Sequence, residues 1–157
     1  MPHDLALTYR RELAAADLVW TGTGLGLDAT PRSALLLSIL ADRRARPDDP
    51  VRLLAHDEAA PASLTLRGGS AGDAVDARGE RTGSRLWLLR DAKETTQTRL
   101  SAERYATEAA AWLARRGLAV TAAAAWSTPP GAGTPRLRLV VRAGEASVAI
   151  TAAGGVA

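Results

Sequence analysis

Metal binding, nucleophilic catalysis and phosphate binding each need particular side chains at particular spacings, and the 157-residue chain offers few of them. His3 and His56 stand far apart and alone, so neither a metal site nor a catalytic triad gathers around them. Cysteine is absent, which removes disulfides, thiolate ligands and a thiol nucleophile. Ser84 lacks the G-x-S-x-G elbow of an activated serine. Gly22, Gly24 and Gly26 are spaced G-x-G-x-G rather than G-x-G-x-x-G, and the helix after them runs into prolines instead of a second parallel strand. A turn before a helix is therefore a better account than a dinucleotide fingerprint. No G-x-x-x-x-G-K-[ST] phosphate loop is present. Glu58, Asp73, Asp76 and Glu80 would act as a glycosidase pair only if an apolar setting raised one pKa, and they lie among glycine and arginine. The expectation is no catalytic, cofactor-binding or metal-binding residue, and a protein that works through contacts.

Charge narrows the partners. The net charge is +3, and Lys93 is the only lysine among many arginines. Those arginines are interspersed with carboxylates along the chain, so nucleic acid is not an expected partner. Asp4, Arg10, Arg11 and Glu12 interrupt the apolar stretch that a signal peptide needs, and no later run approaches membrane-spanning length. A cytoplasmic origin with no membrane partner is expected.

The elements that position these residues follow from periodicity. Leu5, Leu7 and Tyr9 alternate, and Leu18, Val19 and Trp20 follow, predicting two short strands. Thr30 as N-cap and Pro31 at the first helical position predict a helix to Asp42, burying Leu35, Leu36, Ile39 and Leu40. Pro47 and Pro50 stop it, leaving Arg43, Arg44, Arg46, Asp48 and Asp49 as a charged cluster at its end. Residues 51–82 carry little periodicity and predict an irregular loop. In GSRLWLL, Gly83 and Ser84 serve as turn and cap, Leu86 and Leu89 face inward, and Trp87 is either core or an interface anchor. Tyr105, Ala109, Trp112 and Leu113 form one face of a helix from Thr96 to Arg116, with Glu103, Arg104, Glu108 and Arg115 elsewhere on its surface. LAVTAAAAW, RLRLVVR and ASVAIT predict a C-terminal antiparallel sheet in which Leu137, Leu139 and Val141 alternate with arginines. The fold class is α+β: short N-terminal strands, central helices and a small C-terminal sheet, in a single domain over 1–157.

DRRARPDDP, GSRLWLL and YATEAAAWL, in this order, resemble the Mu-type baseplate wedge proteins of contractile-tailed bacteriophages, and the resemblance extends over most of residues 4–126. It implies a non-enzymatic structural subunit of the virion tail baseplate, assembled in the host cytoplasm, that joins the wedge core to the first ring of the tail sheath. The implied partners are other baseplate wedge proteins, the tail sheath protein and tail hub or tube-proximal proteins. The sheath-proximal β element would be residues 118–152, extended by a neighbour's strand, with Leu137, Leu139 and Val141 at the contact. Where the wider group carries Glu-Pro-Arg after its first long helix, this chain reads Asp42, Arg43, Arg44, making Arg43 or Arg44 the docking cation with Arg46, Asp48 and Asp49 around it. LRGGSAGDA replaces a tryptophan-bearing stretch of Mu-type relatives. Two other classes compete: a muramidase-like tail enzyme using loop carboxylates, and a basic nucleic-acid-binding module.

Overall fold

The computed structural model describes residues 4–10, 13, 15–49, 67–69, 81–128 and 135–152. His3, His56, Glu58, Asp73, Asp76, Glu80 and most of the expected loop over 51–82 lie outside them.

The N-terminal strands are shorter and more numerous than their alternation predicts. β1 (Asp4–Leu5) pairs antiparallel with β4 (Leu27–Asp28), and β2 (Leu7–Arg10) pairs antiparallel with β3 (Ala15–Leu18). Ala6 joins the two pairs, its N–H donating to the Gly26 carbonyl and its carbonyl accepting from the Val19 N–H. Trp20 lies beyond β3 and bridges Leu25 instead.

The first helix, α1 (Arg32–Leu40), is shorter at both ends than the sequence predicts, and Asp28 rather than Thr30 anchors its start. The Asp28 carboxylate accepts from the N–H and hydroxyl of Thr30 (2.8 and 2.6 Å) and of Ser33 (3.0 and 2.7 Å). Ser33 Oγ in turn accepts from the Leu7 N–H at 2.9 Å, while Arg32 donates to the Leu7 carbonyl, so the first turn of α1 holds β2. Partial burial opposes ionisation of Asp28. The Thr30 and Ser33 hydrogen bonds outweigh it and lower its pKa to about 2. At the other end Ala41 leaves in extended conformation because the chain enters a parallel bridge between Asp42 and Ser84.

The GSRLWLL phrase forms one 3-10 turn, Leu86–Leu89, rather than the start of a longer helix. Ser84 Oγ accepts weakly from the Leu86 N–H (3.3 Å) and donates to the Ile39 carbonyl (2.7 Å), so it clamps this turn to α1. Gly83 is obligatory there: its φ is +91°, and a Cβ would meet the Ala41 carbonyl oxygen at 2.4 Å. The long helix expected from Thr96 to Arg116 is broken at Ala110 into α2 (Thr96–Ala109) and α3 (Ala111–Arg115). Thr95 caps α2 by accepting from the Thr98 N–H. The bend directs Leu113 into the core while Trp112 Nε1 donates to Ser38 Oγ on α1.

The C-terminal sheet is antiparallel in the order β5 (Val120–Ser127), β6 (Arg136–Ala143), β7 (Ala146–Ala152). Gly144, at φ +59°, starts the two-residue turn from β6 to β7. Val141, Leu139, Leu137, Val148 and Ile150 bury one face of the sheet against Leu35, Leu36 and Ile39 of α1 and Ala102, Ala106 and Ala109 of α2. The fold is α+β, with helices on one face of the sheet. Among the described residues no helix is long and apolar enough to cross a membrane.

Replacing Asp28 by alanine removes the anchor of α1, and a loss of roughly 0.5–2 kcal/mol is expected at neutral pH. Because the folded pKa is depressed, this contribution is present above the ordinary aspartate range and lost as pH falls through about 2. Urea unfolding of wild type and Asp28→Ala should therefore differ near neutrality and converge on acidification. A gap independent of pH would exclude the carboxylate as its source.

Candidate functional site

A single cation, Arg85, stands inside the otherwise apolar stretch GSRLWLL, and the fold buries it: its side chain is 4% exposed. Such a group must be paired. Its Nη1 donates to both oxygens of Asp49 (2.6 and 2.8 Å), and its Nε and Nη2 donate to Glu108 Oε2. The guanidinium also lies over the Tyr105 ring, 4.5 Å from its centroid. Tyr105 and Glu108 are three residues apart on α2, so one helix supplies both the ring and the carboxylate. Asp49 comes from the turn after Pro47.

The expected cluster at the end of α1 converges on the same centre. Glu108 Oε1 receives Arg43 Nη1 at 3.1 Å and Arg46 Nη2 at 2.8 Å. Asp49 Oδ2 accepts from the Arg46 backbone N–H at 2.7 Å. Trp87 Nε1 donates to the Arg43 carbonyl at 2.8 Å, and the ring lies against Gly68. Trp87 is thus half-buried and held within the chain, neither in the main apolar cluster nor freely displayed. Arg44 is half-buried against Gly69 and makes no ion pair with a described residue, and Asp48 is exposed in the turn.

Sequence spacing left Arg85 unassigned and Glu108 on a solvated face. Both are the centre of the cluster. The available signal was a lone arginine within an apolar run, which in a folded chain calls for a buried carboxylate.

Burial penalises the charged forms of Asp49 and Glu108. Hydrogen bonds from Arg85 outweigh it, aided by the charges of Arg85 and Arg46, with Arg43 adding to the effect on Glu108, and both pKa values stand below the ordinary carboxylate range. Burial likewise disfavours the charged Arg85, but its bonds to Asp49 and Glu108 raise its pKa. Every carboxylate oxygen of Asp49 and Glu108 is thus engaged by arginine. Beside it lies a cleft of about 230 Å³ lined by Leu37, Ser38, Arg43, Arg81, Glu108 and Trp112. It is smaller than the roughly 300 Å³ at which ligand pockets begin.

Leu137, Leu139 and Val141, expected at a partner contact, belong to the chain's own core, and β6 is the central strand. Any added strand must therefore use β5 or β7. The edges differ. Ala124 of β5 donates its outward N–H to Glu103 Oε1 of α2 at 2.9 Å, and Arg99 holds that carboxylate in place. On β7 the Thr151 carbonyl accepts from the Tyr9 hydroxyl at 3.2 Å, so it points away from β6. Alternate residues of an antiparallel strand point the same way. The N–H and C=O groups of Ser147 and Ala149 therefore also face outward, and no described residue pairs with them.

From the start of α1 into β7, residues 31–149, the sequence matches the family described as Phage protein GP46. The chain belongs to that family. No curated protein matches it. The GP46 match spans Arg43 to Asp49, Arg85, Tyr105, Glu108 and most of the sheet, and leaves the N-terminal strand pairs outside.

Arg85→Ala strips the buried Asp49 of its arginine partner and leaves Glu108 held only by Arg43 and Arg46, and a loss of about 3 kcal/mol is expected in urea unfolding. Arg85→Lys should cost less but remain destabilising, because an ammonium cannot fork to both carboxylates.

With both pKa values depressed, the contribution of Asp49 and Glu108 is complete above the ordinary carboxylate range and declines as acid protonates them in the folded state. Stability measured against pH should therefore fall more steeply in acid for wild type than for Arg85→Met. Parallel curves would show that Arg85 does not hold these carboxylates ionised.

Proposed function

We propose that this GP46-family chain is a non-catalytic structural subunit of a contractile phage tail baseplate wedge, joining the wedge core to the first sheath ring. The observation that carries the proposal is the edge of β7, where the outward backbone groups of Ser147 and Ala149 are paired with no described residue. A strand from a neighbouring sheath or wedge protein would satisfy them by extending the sheet. The charged cluster supplies the second contact. Arg43, Arg46 and Asp49 are consumed in bracing Glu108 and Arg85, which leaves Arg44 as the cation available to dock on another wedge protein. The phage family match supports virion association, and the resemblance of DRRARPDDP, GSRLWLL and YATEAAAWL supports the wedge.

In such an assembly the subunit works by transmitting displacement. A neighbour's strand on β7 moves the sheet, α1 and α2 pack on its inner face, and both meet at the Arg85 cluster.

Cryo-EM of the tail particle made by the native gene cluster tests this. Density for the chain is expected at the sheath-proximal rim of the baseplate, with β7 extended by a neighbour's strand. Density elsewhere in the particle would eliminate the wedge role while leaving a phage protein.

A further inference from the structure

The solvent face of the C-terminal sheet carries a line of arginines that is not apparent from their scatter along the chain. Arg136, Arg138 and Arg142 occupy alternate-parity positions of β6, opposite in facing to the buried Leu137, Leu139 and Val141. None makes an ion pair with a described residue. On β7 their neighbours are small: Arg138 stands beside Thr151 and Arg142 beside Ser147, with Ala149 between these rows. On β5 they are Thr121, Ala125 and Ser127. Small side chains on β5 and β7 thus flank an unneutralised cationic row, broken only by Val140, next to the edge of β7.

We infer that the strand added to β7 is acidic on its solvent side, with aspartate or glutamate at the two positions, four residues apart, that face Arg138 and Arg142. This inference rests on the strand-addition reading of β7 given above. Residues of an incoming strand opposite Ser147, Ala149 and Thr151 share the solvent face with the arginines, the strand using the second lone pair of the Thr151 carbonyl beside the Tyr9 hydroxyl. They lie two strand spacings from β6, roughly 9–10 Å. An arginine and a glutamate span that gap together, because the intervening β7 residues are too small to block them. Side chains on one face of a strand recur about every 7 Å, and Arg138 and Arg142 are four residues apart with Val140 between them, so carboxylates four residues apart on the incoming strand keep register with the two arginines. Backbone pairing supplies affinity and the charge row supplies partner and register selection. Nucleic acid fits the surface less well: the platform has no aromatic side chain for base stacking, and backbone edge groups are not what a phosphate chain requires.

The test uses the full chain and a short fluorescent peptide alternating glutamate with valine, compared with peptides carrying glutamine or lysine in place of glutamate, and with duplex DNA. Binding of the glutamate peptide is expected, weakened at least roughly tenfold by the glutamine exchange. Arg138→Glu with Arg142→Glu should abolish it and favour the lysine peptide. Ala149→Pro should also abolish it while preserving the fold, because the Ala149 N–H points away from β6 and proline is tolerated on such an edge. Equal binding of the glutamine peptide, no binding of the glutamate peptide, or DNA binding that survives Ala149→Pro and is lost with the arginines would overturn the inference. Particles carrying the chain at the sheath rim, together with failure of the glutamate peptide, would remove the acidic strand and retain the wedge subunit. Glutamate-peptide binding by a chain absent from tail particles would do the reverse.

Discussion

Arg85 is the constraint on which the arrangement of the described helices depends. A guanidinium cannot be withdrawn from water without partners, so folding around it requires Asp49 from one segment and Glu108 from another to arrive together. The planar fork makes this demand directional, because separate nitrogens serve the two carboxylates. Tyr105 closes the remaining face. Such a cluster adds little net stability over an apolar core of equal volume, and its contribution lies in excluding alternative packings. Here it fixes the chain after α1, the 3-10 turn and α2 relative to one another.

The same helix connects that cluster to the sheet. α2 presents Tyr105 and Glu108 to Arg85, while Ala102, Ala106 and Ala109 lie in the core. Small residues let the helix approach the sheet closely, near enough for Glu103 to receive the Ala124 N–H of β5. One edge is covered as a direct consequence of how α2 sits. The asymmetry of the sheet, with β5 engaged at its middle and β7 only near its end, is therefore linked to the same packing that serves Arg85.

Local periodicity made much of this legible. The alternation of Leu137, Leu139 and Val141 with Arg138, Val140 and Arg142 gave β6 and its buried face, and the run from Leu35 to Ile39 gave α1. What escaped were features set by distant partners. Thr30 fits an N-cap locally, but Asp28, placed by its pairing with Asp4, takes the Ser33 N–H. Glu108 resembles a solvated residue until Arg85 is brought against it from 23 positions away. Leu137, Leu139 and Val141 were assigned to a partner contact from the family resemblance, yet their own alternation already placed them inward. The break at Ala110 lies in a run of alanines, where no change of residue type marks it.

The charge of the chain shows most directly why linear order misleads. Arginines and carboxylates alternate through the sequence, and a net charge of +3 is modest. A strand sorts residues by parity, so Arg136, Arg138 and Arg142 share one face of β6, and the nearest carboxylate in sequence, Glu145, falls in the turn. β7 beside them has few of the devices that usually disarm an edge: Ser147, Ala149 and Thr151 include no charge or proline, the register with β6 runs without a bulge, and among described residues only Tyr9 engages the edge, at the Thr151 carbonyl. In an isolated chain such an edge invites self-association, but a second copy would set its own arginine row parallel to the first across a small-residue platform. At three strand spacings, roughly 14 Å, that opposition is weak, and selection against a second copy lies in its lack of the carboxylates that an acidic strand brings to the row.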